Sequence, residues 1–179
     1  MENKILKGSI VIFTLLLLII SVSAVSADSN ATSILTLSNS GITISYPSDW
    51  GYSKAVSEDS IMAISKLSAI DAFGIGQVNI NIEKRPIEGD FYTFVNSTYK
   101  SMEKDPNYEL VSSGGLVLAD YDAMEYVYTS NTDGVEKQHM AVWFEKGGQA
   151  YVLLYSAPID QFEDNLYVFE YVLSDIQIT

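Results

Sequence analysis

The stretch Gln149 to Ser156, "QAYVLLYS", decides the fold. Its run "YVLLY" is apolar at both parities, so the strand needs cover on both faces and belongs in the middle of a sheet. The next residues supply cover. From Ile159 to Leu173 the apolar residues Phe162, Leu166, Phe169 and Leu173 recur at helical spacing, with Glu163, Asp164 and Glu170 for the wet side. On the N-terminal side, "KGG" at Lys146–Gly148 joins this strand to Val135–Glu145, and "SNTDG" joins that one to Ala123–Thr129. Three strands linked by tight turns predict an antiparallel meander.

Further upstream, Tyr108 to Leu118 reads as extended, with Gly114 and Gly115 marking a bulge or a turn. Before it the period changes: with Asp90 as N-cap, Phe91 to Lys104 reads as a helix whose stripe holds Phe91, Val95 and Met102, with Phe94 beside it. "DPN" stops it. Ile61–Leu67 and Gln77–Glu83 read as strands, and Val78, Ile80 and Ile82 share one face of the second. Ile34–Leu37 and Ile42–Tyr46 flank the turn cluster "SNSG" as a hairpin, and "IQI" closes the chain as a short strand. Strand runs followed by helices predict an α+β fold, an antiparallel β-sheet flanked by helices.

Residues 1–27 have the three parts of an export signal: basic Lys4 and Lys7, an apolar run Ile10–Ile20 broken only by Thr14, and "VSA", with Val25 and Ala27 placed for cleavage. The alternative is an uncleaved membrane anchor, because no charge intervenes between Lys7 and Asp28. Residues 28–32 then form a flexible leader, and residues 33–179 a single domain. Of 23 acids and 10 bases in the whole chain, Glu2, Lys4 and Lys7 precede Ala27, which leaves 22 acids against 8 bases beyond it. This balance opposes binding to nucleic acid or anionic lipid. The chain has no cysteine, which excludes disulfides and thiolate chemistry.

"ITISYPSDW", a helix followed by "YELVSSGGLVL", the hairpin "AMEYVYTSNTDGVEKQHMAVWFEKGGQAYVLLYSAP" and a closing helix ending in "LSDIQI" together resemble the PsbP-like family. The resemblance spans Ser33 to Thr179, and the shared motifs are structural. It implies an α-β-α sandwich and a role as an accessory or binding domain. The photosynthetic members' role at the manganese-calcium site of oxygen evolution does not carry over, since this chain shows neither their long N-terminal extension nor their basic docking surface.

Few residues offer chemistry. His139, the single histidine, shares a strand face with Ala141 and Trp143 and reads as a packed or surface residue, because one histidine cannot build a multi-histidine zinc site. No G-x-S-x-G elbow accompanies the serines. "FGIGQ" at Phe73–Gln77 lacks the rest of a nucleotide loop and reads as a loop entering a strand. Asp120 and Asp122, two apart on an expected strand, point to one face and form a candidate calcium site. D-x-D is common by chance, and the EF-hand pattern is missing. Tyr126, Tyr128, Trp143, Tyr151 and Tyr155 read as core packing, with an aromatic pocket at the sheet's open end as the alternative. Asn30 and Asn96 begin glycosylation sequons.

These features predict a non-catalytic extracytoplasmic binding or assembly module of the cell envelope. It would need no cofactor, and its partner would be an envelope or extracellular protein or ligand. It would touch membrane only through an uncleaved N-terminal segment. The alternative is a carboxylate-based metal-binding protein or metal-assisted hydrolase.

Overall fold

The computed structural model describes residues 32–55, 57–132 and 134–179. The N-terminal signal or anchor, the leader up to Ala31 and the Asn30 sequon lie outside the described residues. Strands β1 (Ile34–Asn39), β2 (Ile42–Pro47), β3 (Trp50–Tyr52), β4 (Ser60–Lys66) and β5 (Asn79–Pro86) precede helix α1 (Phe91–Met102). The meander β6 (Tyr108–Leu118), β7 (Tyr121–Thr132), β8 (Val135–Lys146) and β9 (Gln149–Pro158) follows, then α2 (Ile159–Asp175) and β10 (Gln177–Ile178).

The strands form two antiparallel sheets. One has seven strands in the order β3-β4-β5-β9-β8-β7-β6; the other is β1-β2-β10. As "YVLLY" requires, β9 lies inside the large sheet, between β5 and β8. The small sheet departs from the single-sheet expectation. Its hairpin pairs with the chain end through Thr43–Gln177 and Ile42–Ile178, while Trp50, beyond the turn after Pro47, joins the large sheet through Lys66.

Alternation along β8 and β9 divides the packing. Ala141, Trp143, Ala150 and Val152 belong to one buried cluster with Phe91, Val95 and Tyr99 of α1. The intervening Val142, Phe144, Tyr151, Leu153 and Tyr155 belong to another, with Phe162, Val168, Phe169 and Val172 of α2 and Ile42 and Ile44 of the small sheet. Asp90 caps α1 as expected, its carboxylate accepting from the Thr93 amide at 2.8 Å and the Thr93 hydroxyl at 2.9 Å.

Both helical stripes are rotated from their sequence reading. In α1 the third buried residue is Tyr99, and Met102 is only partly covered. In α2 the buried residues are Phe162, Asn165, Val168, Phe169 and Val172, while Leu166 and Leu173 are partly buried beside them. Asn165 is the polar residue on the buried face of α2, and both ends of its amide are satisfied: Lys66 Nζ donates to its Oδ1 at 2.8 Å, and its Nδ2 donates to the Gln161 carbonyl of the same helix at 2.8 Å.

Two details of the meander also differ. The register shift in β6 falls between Leu110 and Ser112, and Gly114 and Gly115 pair regularly with Glu125 and Met124. A two-residue turn joins β6 to β7, with Ala119 and Asp120 both at positive φ (47° and 70°).

Candidate functional site

One row of register partners crosses the large sheet: Ser65 on β4 faces Asn79 on β5, Asn79 faces Ser156 on β9, Ser156 faces His139 on β8, and His139 faces Tyr128 on β7. The row lies on the face that α1 partly covers, because His139 has the parity of Ala141 and Trp143. Beside it, Ala63, Asn81 and Leu154 form the next row, and Glu83 lies beyond Asn81. These residues, with Lys137, Ser53, Lys54, Ser57, Ile75 and Gly76, line a cavity of about 300 Å³.

Two loops bound the cavity. One follows β3: the Ser53 amide donates to Ala63 and the Lys54 amide to Gly74. The other is the "FGIGQ" segment, drawn in by Asp71, whose Oδ1 accepts from the Phe73 amide at 2.8 Å and the Ile75 amide at 3.0 Å. These bonds hold the exposed Asp71 carboxyl below its usual range, the Ile75 amide most of all. Gly76 leaves room for Ser65 here, since a Cβ on it would lie 1.9 Å from Ser65 Oγ.

The walls are unusually polar for a sheet interior, and their side chains partner one another. Ser65, fully buried, donates to Ser53 Oγ at 2.7 Å. Ser60 Oγ donates to Asn81 Oδ1 at 2.5 Å, and Asn81 Nδ2 donates to Glu83 Oε1 at 2.8 Å. The other Glu83 oxygen accepts two bonds from Arg85, at 2.5 Å and 3.0 Å, and Arg85 also reaches Asp59 at 3.2 Å. Glu83 is only 5% exposed, so this neutralisation is what makes its burial tolerable.

His139 is tied at both ring nitrogens: Nδ1 to Ser156 Oγ at 2.7 Å and Nε2 to Ser130 Oγ at 2.8 Å. Its ring stacks on Tyr128 with centroids 4.6 Å apart. Burial, reinforced by the nearby Lys137 ammonium, brings its pKa down to about 4. At neutral pH it is therefore an uncharged imidazole, one nitrogen donating and the other accepting. A Ser–His–Ser chain of this kind binds by hydrogen bonding and is poorly suited to general-base catalysis, because no carboxylate orients the ring or stabilises an imidazolium.

Asp120 stands in the β6–β7 turn and Asp122 on β7 opposite Val117, so the shared strand face assumed for a calcium site does not form. Among the described residues, no group of three or more His, Asp or Glu side chains is arranged to hold a metal ion. Asp122 instead lines a groove of about 650 Å³ between α1 and the β6–β7 hairpin, with Tyr92, Asn96, Gly114 and Tyr126. Asn96 is exposed on α1, and its Oδ1 accepts from the Tyr126 hydroxyl at 2.6 Å. This groove is larger but lacks the buried polar lining around His139.

Tyr126, Tyr128, Tyr151, Tyr155 and Trp143 are core residues, divided between the two buried clusters. The cavity was not legible as aromatic because it is built from serine and asparagine. Its one sequence signal is the polar parity of "NINIEK", where Asn79, Asn81 and Glu83 alternate with Ile80 and Ile82.

Neither a family model nor a curated protein sequence matches the chain. Among solved structures it is similar to cyanobacterial PsbP (CyanoP) from Synechocystis sp. PCC 6803, at 16% identity and a TM-score of 0.59, covering 85% of this chain and 96% of that one. It is also similar to LpqN of Mycobacterium tuberculosis, involved in cell envelope biogenesis, at 14% identity and a TM-score of 0.58, covering 84% and 92%. At such identity the likeness shows the fold alone: the chain has the PsbP-like fold.

Proposed function

We propose that the protein is a non-catalytic extracytoplasmic binding module that takes a small polar ligand into the cavity around His139. The observation that carries this reading is the row Ser65–Asn79–Ser156–His139, four polar side chains in register on adjacent strands, with Asn81 and Glu83 beside them on the same face. Burying such groups costs free energy that apolar side chains would not, and their mutual hydrogen bonds offset that cost; a polar-lined cavity kept at this place in the sheet points to a use beyond packing. The neutral imidazole between two hydroxyls suits recognition. Capture in the cell envelope agrees with the export-type N-terminus and with the envelope role of LpqN. In this reading residues 1–27 direct export or anchor the chain, residues 28–32 act as a spacer, and residues 33–179 form one α-β-α sandwich with α1 and α2 on opposite faces.

The test is a thermal-melt panel on the exported protein with small sugars, amino acids and organic acids. One class should raise the melting temperature through preferential binding to the folded state, and Asn79→Leu and Ser156→Val should abolish the rise. No shift with any class would sink the reading.

A further inference from the structure

We propose that the ligand of the His139 cavity carries an oxyanion, a carboxylate or a phosphoryl group, held by Lys137 and Lys54. The inference rests on the reading of this cavity as the ligand site. Three charged residues line it: Lys54, Lys137 and Glu83. The Glu83 carboxylate is tied up by Arg85, which it shares with Asp59, and by a hydrogen bond from Asn81. Among the described residues both salt bridges belong to Arg85, so neither lysine has a carboxylate within ion-pair distance. Beyond Ala27 the chain has 22 acids for 8 bases, so two ammonium groups lining one cavity stand out by their sign against an acidic chain.

The position of Lys137 strengthens the point. It is half-buried on β8, two residues from His139 and on the same strand face. Burial lowers its pKa; Asp71, the carboxylate that opposes this, acts on it without forming an ion pair. An incoming oxyanion would supply a direct counter-charge, and charge-assisted hydrogen bonds are the strong ones. Apart from Glu83 the remaining wall is uncharged, and the hydroxyls of Ser57 and Ser156 and the Asn79 amide face a polar body beside the His139 ring. A volume of about 300 Å³ sits at the small end of ligand sites, which fits a small acid and not a polymer. The two ammonium groups disfavour a cation.

The experiment titrates the exported protein with sodium acetate and, separately, with inorganic phosphate. Ionic strength is held constant with chloride, and the backbone amide resonances of Lys137, His139 and Ser156 are followed. Saturable shifts are expected with at least one anion. Lys137→Gln should weaken them by about tenfold, the usual loss for one charge-assisted bond. Lys100→Gln, on the exposed side of α1, should leave them unchanged. Acetate alone identifies a carboxylate, phosphate alone a phosphoryl group, and both the shared charge. Equal binding by Lys137→Gln would overturn the proposal. So would saturation of these amides by glucose or glycerol with no response to either anion, a result that leaves the cavity standing as a ligand site. No response to any of the four probes overturns both readings. Should Lys137→Gln fail to fold, Lys54→Gln on the exposed loop carries the same comparison.

Discussion

Ser156 and His139 are register partners on β9 and β8, and the same two residues are joined side chain to side chain, Oγ to Nδ1 at 2.7 Å. The backbone ladder thus sets the distance, and the hydroxyl fixes the ring. Because the imidazole is also buried beside Lys137, its protonation is linked to folding.

That linkage has a definite sign. The folded pKa of about 4 lies below the ordinary value of 6.5, so the unfolded chain takes up the proton first as pH falls. The contribution of His139 is fully present above pH 6.5 and is lost between there and about pH 4. Its size is on the order of 3 kcal/mol, at about 1.4 kcal/mol for each pH unit separating the folded and unfolded values. Carboxylates also titrate in this window, so the check is a comparison: urea denaturation of wild type and His139→Gln across it. The variant should show the shallower fall in stability. Equal slopes would mean that His139 titrates normally.

A second prediction separates the two stripes read for α2. Phe169, fully buried between Tyr155 and the small sheet's cluster, should cost about 3 to 5 kcal/mol when cut to alanine. Leu166→Ala, at a partly covered position, should cost less than about 2 kcal/mol, below the range for a fully buried leucine. Chemical denaturation of both variants checks the order. Equal costs would restore the stripe expected from spacing alone.

These two helices mark where sequence reading ends. Period-two and period-3.6 patterns locate β9, its helical cover and the Asp90 cap, because those signals are local. They misjudge the buried face of α2, where Asn165 takes a partner no local pattern shows, Lys66 on a strand 99 residues away. The cavity is less legible still. Asn79 and Ser156 meet only because β5 pairs with β9 across α1 and the whole meander, and no local pattern encodes that register. Likewise β10 pairs with β2 outside the large sheet, a pairing that depends on where α2 delivers the chain.

The third prediction concerns Tyr99, the residue missing from the expected α1 stripe. Its hydroxyl accepts from Trp143 Nε1 at 2.8 Å, and its ring stacks on Tyr126 with centroids 3.7 Å apart. Burial pushes the phenol pKa well above its usual range, so it should stay protonated when exposed tyrosines ionise in alkaline solution. Tyr99→Phe keeps the stacking and leaves the Trp143 donor unpaired, at a cost of about 1 to 3 kcal/mol. Equilibrium unfolding measures this. An unchanged stability would show that the indole finds another acceptor.

The last prediction tests the loop that roofs the cavity. Gly76 lies over β4 so closely that an added Cβ would stand 1.9 Å from Ser65 Oγ and 2.2 Å from Ser65 Cβ. Its backbone angle is ordinary, so the cost of Gly76→Ala is steric and comes from this one neighbour. Overpacking of this kind costs about 1 to 3 kcal/mol, and it should lift the 70–77 loop away from Ser65 and Lys137. Ligand binding should fall with stability. Removing the neighbour gives the control: Ser65→Gly takes away both clashing atoms, so the double variant should be more stable than the sum of the two single changes predicts. Strict additivity would show that the loop does not rest on Ser65, and that the cavity owes its roof to other contacts.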